Sequence, residues 1–396
     1  MPDISARGML MPSSPIRKLV PLADAAKREG VKVYHLNIGQ PDLPTPQKGL
    51  DVLKRIDRTT LEYSPSEGIL PLREKLAGYY ARFGVEVSPS DIIVTCGGSE
   101  AILFSFLACL NPGDEIIMLE PVYANYISMA EIAGVQVKTV TSRIEDGFSL
   151  PPASAFEEAI TERTRGILLC NPSNPTGALY TEEELLQIKE IVLKYSLFLF
   201  SDEVYREFVY NGVPFVSAMH LGIPEHVVMI DSVSKRYSEC GIRVGMLVTL
   251  NKEVRAAVMK LCQARLSPPL LGQLVAEASI EGTEDYARAC FEEYKTRRDF
   301  FIERLNRIPG VFSPKPEGAF YTVASLPVKD AEDFCRWLLT DFRDGGETVM
   351  MAPAAGFYAT PGLGMNEVRL AYVLKKEDLA RALELLEKAL KVYNRK

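Results

Sequence analysis

The sequence predicts an α/β fold: a mostly parallel, seven-stranded sheet with helices on both faces, joined to a smaller α+β domain. Two observations carry this reading. Between about residues 90 and 280, short apolar runs alternate with stretches of helical period, the pattern of parallel strands linked by crossover helices. Beyond about residue 284 the pattern changes to long amphipathic helices separated by short strands.

The elements follow in order. Residues 91–96 (DIIVTC) read as a buried strand and 99–110 as the helix after it. A strand is expected over 115–119, a helix over 126–133, and strands over 135–140 and 166–170. Thr181 and Glu184 have the spacing of a capping box, opening a helix to about residue 195. Strands over 197–201, 227–230 and 244–250 complete the seven. A long helix then covers 284–305, followed by a strand over 319–323, a helix over 331–342 and two more short strands. In the last helix Leu379, Leu383, Leu386, Leu390 and Tyr393 share one face. The expected division is a large domain over 46–284, and a small domain made of the Pro-rich N-terminal arm (1–45) with 285–396. The arm is expected to pack on the small domain or on the cleft.

Composition removes whole classes of function. With 396 residues, 47% of them hydrophobic and 24% charged, the chain can bury a large core and is neither disordered nor a disulfide scaffold. Forty-five basic against 52 acidic residues, a net charge of −7, argue against nucleic acid as a partner. Seven scattered cysteines without a C-x-x-C read as small buried apolar groups of a reducing, cytoplasmic compartment. The first eleven residues lack a long apolar run and no stretch of 18 apolar residues occurs, so neither a secretory leader nor a membrane span is expected. There are three histidines and no H-E-x-x-H, P-loop or post-strand G-x-G-x-x-G, so no metal is expected.

In such a sheet, ligands sit outside the carboxyl ends of the strands. Four polar clusters follow four strands: Gly97-Gly98-Ser99; Asn171 to Gly177 (NPSNPTG); Asp202 with Tyr205; and Ser232 with Ser234 and Lys235. Each has a bland reading alone, as a turn, a cap or a solvated charge. Their shared position points to a phosphate-bearing aromatic cofactor. Backbone N–H groups of Gly98 and Ser99 at a helix N-terminus suit a phosphate, with Ser232 and Arg243 as further donors. A buried Asp202 needs a cation, which a protonated pyridine nitrogen supplies. Asn174 and Tyr205 suit a phenolate oxygen on that ring, and Tyr123 offers a stacking face. Lys235 then offers an amine of lowered pKa that forms a Schiff base with an aldehyde. This set of partners describes pyridoxal 5'-phosphate.

The same residues resemble the class I/II aminotransferases, fold-type-I pyridoxal-phosphate enzymes, over nearly the whole chain. The motifs are Asn37 to Asp42 (NIGQPD), Tyr63 with Gly68, Gly97-Gly98-Ser99-Glu100, the NPSNPTG run, Asp202 to Tyr205 (DEVY), Ser232 to Lys235 (SVSK) with Gly241, Arg243 and Gly245, and Val368-Arg369-Leu370. The resemblance implies that Lys235 holds the cofactor and shuttles the proton, with Asp202 and Tyr205 assisting. It implies phosphate binding by Gly97, Gly98, Ser99, Ser232, Ser234 and Arg243, and that Tyr63 reaches the phosphate of the neighbouring subunit, hence a homodimer with shared sites. Arg369 matches the arginine that grips the substrate α-carboxylate, with Gly39 and Asn174 beside it. The implied reaction is ping-pong transfer of the amino group of an L-amino acid, aspartate first, to 2-oxoglutarate. Alanine, aromatic or kynurenine donors, a β-lyase on the same scaffold, and a non-catalytic sensor module remain open. Arg236 is expected to be exposed, and the 352–364 stretch to lie near the cleft.

Overall fold

A computed structural model describes residues 2–395. Seven strands form the main sheet: β2 Ile92–Thr95, β3 Glu115–Glu120, β4 Gln136–Thr141, β5 Thr164–Cys170, β6 Phe198–Asp202, β7 Val227–Ser232 and β8 Gly245–Val248; β1 Lys32–His35 precedes them outside this sheet. Their spatial order is β2-β8-β7-β6-β5-β3-β4. The strands from β7 to β4 are parallel, and β8 runs antiparallel to both of its neighbours. All seven lie within a few residues of the predicted spans. The core strands are buried along their length because helices cover both faces, so they read as unbroken apolar runs. Edge strand β4 is half-exposed and correspondingly mixed in sequence.

The capping box is present: Thr181 accepts from Glu184 N–H at 3.2 Å, and Glu184 accepts from Thr181 N–H at 2.7 Å, opening the helix Glu182–Tyr195. The long helix Glu284–Leu305 forms as expected. After it come β9 Tyr321–Ser325, the helix Ala331–Thr340, β10 Glu347–Met350, β11 Ala352–Pro353, β12 Glu367–Ala371 and the helix Lys376–Tyr393. Leu379, Leu383, Leu386 and Leu390 are buried on one face of this last helix, and the Tyr393 ring packs on Phe334 and Trp337.

Strands β11, β12 and β9 form a small antiparallel sheet; with β10, which pairs elsewhere, the region has four short strands, one more than expected. The N-terminal arm does both things its sequence suggested. Its β1 pairs in parallel with β10, and its residues 14–17 and 38–40 reach the cleft.

Candidate active site

Six strands, all but β8, point their carboxyl ends to one edge of the sheet. Beyond that edge lies a cavity of about 670 Å³. The antiparallel β8 contributes through its beginning instead: Gly245 pairs with Thr95 and Ser232, so Arg243, two residues earlier, arrives at the same edge. The turn out of β2 passes through Gly97 at φ +79° into the helix Gly98–Cys109. Strand β8 approaches this turn so closely that a Cβ on Gly245 would lie 2.3 Å from the carbonyl carbon of Gly97. Arg243 has φ +56° and spreads its guanidinium over Gly97, with Nη1 donating to the Cys240 carbonyl at 3.0 Å. Ser232 caps the short turn that carries Lys235, accepting from Ser234 N–H at 3.1 Å and donating to Ser234 Oγ at 2.9 Å.

Asp202 ends β6, buried. Tyr126 donates to its Oδ2 at 2.5 Å, and Val204 N–H donates to its Oδ1 at 3.2 Å. No cation of the protein pairs with it among the described residues, and burial pushes its pKa up to about 6. Asn171 fixes the loop after β5, its Oδ1 accepting from Tyr180 N–H at 3.0 Å, and this presents Asn174 to the cavity. Lys235 Nζ donates to the Gly39 carbonyl at 2.9 Å and lies 4.0 Å from Cys240 Sγ. The expected lowering of its pKa is not met. Burial disfavours the ammonium, but Tyr321, Cys240 and Tyr123 around it carry the net direction upward.

Arg369 is 1% exposed, on β12. Its Nη1 donates to Asn174 Oδ1 at 3.2 Å, its Nη2 donates to the Asn37 carbonyl, and its Nε has no partner. The guanidinium lies over the Tyr321 ring at 4.7 Å and the Phe357 ring at 5.1 Å. Phe357 belongs to the 352–364 stretch, which therefore lies near the cleft, behind Arg369, without lining it. Burial lowers the Arg369 pKa, the penalty of an arginine with no anion beside it.

Twelve of the predicted site residues line this one cavity: Gly39, Gly98, Ser99, Tyr123, Asn174, Asp202, Tyr205, Ser232, Ser234, Lys235, Arg243 and Arg369. Gly97 lies just behind, under Arg243. Tyr63 does not line it and is 78% exposed. The sequence reading missed Tyr126, which holds Asp202, and Tyr321, whose hydroxyl meets that of Tyr205 at 3.2 Å and donates to the Gly39 carbonyl at 3.3 Å. Tyr126 sits three residues after Tyr123, one helical turn on, which is a usable signal; Tyr321 carries none.

Arg236 corrects the sequence reading. It is buried, not exposed: it pairs with Asp231 and lies 4.1 Å over the Tyr79 ring. Arg206 is 3.8 Å from the same carboxylate and 3.1 Å from Glu203. Neither arginine faces the cavity. The arginines hold the Asp231 carboxyl below the usual range despite its burial. An Asp231→Ala protein, which leaves both guanidinium groups undercompensated in the core, is expected to lose about 3–5 kcal/mol of stability at pH 7. Chemical denaturation would check this, and a loss under about 1 kcal/mol would contradict it.

The cavity offers free amide N–H groups at a helix N-terminus, a buried carboxylate lacking a cation, a half-buried amine, and a buried guanidinium with an unpartnered nitrogen. These fit pyridoxal phosphate and an amino acid. Comparison with known proteins agrees. A family model for aminotransferase class I and II matches residues 31–386. A probable aspartate/prephenate aminotransferase of Thermus aquaticus is 32% identical over 369 residues, covering 92% of this chain and 93% of that protein. The solved structure of Thermus thermophilus aspartate aminotransferase with maleate has a TM-score of 0.89 at 30% identity, covering 98% of this chain and all of that one. The alanine aminotransferase of Pyrococcus furiosus has a TM-score of 0.89 at 31% identity with the same coverage. The fold, the cavity and the similarity across nearly the whole length agree that this chain belongs to the class I and II aminotransferases, pyridoxal-phosphate-dependent transaminases of small amino and oxo acids.

Proposed function

We propose that the protein is an aspartate aminotransferase working by a ping-pong cycle with 2-oxoglutarate as acceptor. The observation that carries the reading is the pairing of two groups on one cavity, the buried Arg369 with an unpartnered Nε and the half-buried Lys235 amine. Arg369, seconded by Asn174 and the Gly39 backbone, grips the α-carboxylate. That grip would point the α-carbon at Lys235, whose Nζ is placed to take up and give back the α-proton. When bound, pyridoxal phosphate supplies an electron sink for the α-carbanion. Asp202, held by Tyr126, would keep the ring nitrogen protonated, Asn174 and Tyr205 would hold the ring oxygen, Tyr123 would offer the ring a stacking face, and Gly97, Gly98, Ser99, Ser232, Ser234 and Arg243 would hold the phosphate.

Tyr63, exposed on the single chain, is assigned to the phosphate of a second copy, which makes the working unit a homodimer. Seven free cysteines and the absence of a helix long and apolar enough to cross a membrane, among the described residues, support a cytoplasmic location. The division into 46–284 and 1–45 plus 285–396 belongs to the same proposal, supported by the separate sheets. The relatives named for aspartate, and the one solved with maleate, support a dicarboxylic donor; the alanine aminotransferase at equal TM-score supports alanine as the second reading.

Mixing the yellow holoenzyme with single L-amino acids and no acceptor tests this. Aspartate is expected to bleach the visible band fastest, and 2-oxoglutarate to restore it. Fastest bleaching by alanine would replace the donor; no bleaching by any amino acid would overturn the transaminase cycle.

A further inference from the structure

The charged residues lining the cavity are Arg17, Lys235, Arg243 and Arg369 against the single carboxylate of Asp202. The proposed chemistry gives three of the cations a partner: Lys235 meets the carbonyl of the cofactor, Arg243 its phosphate and Arg369 the α-carboxylate. Asp202 is taken by the ring nitrogen. Arg17 is left over. Its guanidinium makes no hydrogen bond or ion pair with any described residue, whereas the adjacent Lys18 is paired with Glu332.

The backbone that carries Arg17 is anchored on both sides. Arg17 N–H and Lys18 N–H donate to the Ser14 carbonyl at 3.1 and 2.9 Å, and Leu19 is buried. Pro15 packs on Gly356, where an added Cβ would stand 2.6 Å from its ring. Ile16 is tied to the substrate clamp itself: Asn37 Nδ2 donates to the Ile16 carbonyl at 3.0 Å, and the Asn37 carbonyl accepts from Arg369. Two hydrogen bonds through one asparagine therefore set the spacing between Arg369 and the peptide that precedes Arg17. Arg17 is exposed and lines the same cavity as Arg369 and Lys235, so it marks an open side, or mouth, that the side chain of a substrate held by both can meet. The side chains of aspartate and 2-oxoglutarate reach only two or three carbon–carbon bonds of about 1.5 Å each, so the reader must come from the chain lining that mouth.

We infer that Arg17 binds the distal carboxylate of dicarboxylic amino and oxo acids and so sets the side-chain specificity of the enzyme. The inference rests on the transaminase reading above. The chemistry suits the task. A guanidinium takes a carboxylate in bidentate fashion, and a solvated one carries no standing desolvation cost. Because its side chain is not tied down, Arg17 can swing into water when a small apolar side chain enters. It favours dicarboxylates without excluding alanine. Arg236 cannot serve as that reader, because it is buried and paired with Asp231.

The test compares wild-type, Arg17→Gln and Arg17→Lys holoenzymes in two measurements. The first is the half-reaction with aspartate, glutamate and alanine. The second is titration with succinate and with propionate, unreactive acids, followed by the visible spectrum. In Arg17→Gln the aspartate-to-alanine ratio of kcat/KM and the succinate-to-propionate ratio of affinities are each expected to fall about 10- to 100-fold, the range for a lost charged hydrogen bond. Arg17→Lys should recover part of both. Unchanged ratios overturn the inference, as do equal losses on alanine and aspartate, which would make the arm merely structural. A wild type that bleaches with aspartate while the ratios stay fixed in both variants overturns the Arg17 role alone. A wild type that bleaches with no amino acid overturns the transaminase reading, and the succinate titration then still reports on Arg17.

Discussion

Lys235→Ala protein is expected to fold, to lose its visible absorption band, and to turn over on the order of 10⁵-fold more slowly than wild type, the scale of loss when a nucleophile and proton carrier is removed. Lys235 is the one lysine lining the cavity, so no neighbouring amine can substitute for it. Its removal leaves the phosphate-binding turn, Asp202 and Arg369 in place. Cofactor and amino acid should therefore still bind, and binding with no turnover is the signature to look for. The absorption spectrum after reconstitution and the single-turnover rate with aspartate are the measurements. A variant within about 100-fold of wild type would remove Lys235 from the assignment.

Asp202→Asn is the second large effect, and its two consequences have opposite sign. For catalysis, the ring nitrogen loses a buried anionic partner. Breaking such a pair costs about 3–5 kcal/mol, or roughly 10²- to 10⁴-fold in rate if the cost falls on the transition state. For the protein without cofactor, the carboxylate is a liability. Its pKa, about 6 when folded, lies above that of the unfolded chain, about 3.9. The folded state then binds the extra proton, so this group weakens folding as pH rises from about 4 to 6 and exerts its full penalty above 6, up to about 3 kcal/mol. Asp202→Asn without cofactor should therefore be more stable than wild type at pH 8 and level with it at pH 4, while the loaded enzyme is nearly dead. Melting curves at the two pH values decide this. Equal stability at pH 8 would mean that the Tyr126 hydrogen bond already offsets the burial.

The residues that proved readable share a position. Ser99, Asn174, Asp202 and Lys235 each come within a few residues of the end of a largely apolar run. The run predicts a buried strand, and a polar group at its carboxyl end has few places to be but the ligand edge. Arg243 was readable from its guanidinium chemistry and not from a strand end, because β8 runs the other way and presents its start. Arg236 was misread because nothing local separates it from a solvated charge. Its partner Asp231 lies inside the apolar run of β7, and an acid there is the signal that a cation must be buried nearby. Arg17 and Tyr321 depend on which distant segments meet. Arg17 stands in a turn with no periodicity, and Tyr321 on a strand paired to β12, so only the assembled fold shows that they face the same cavity.

The pairing of β1 with β10 has a consequence for how the protein is made. Tyr34 donates to Glu347, 313 residues further along the chain. On a ribosome adding about 5–20 residues per second, β1 leaves the exit tunnel roughly 15–60 s before its partner strand exists. The main sheet, complete by Val248, can close meanwhile. The Arg369 clamp cannot, because β12 is synthesised later still. The nascent chain can thus build the edge proposed to bind phosphate while the half proposed to recognise substrate is not yet translated, and the cavity is completed only when β12 has been made.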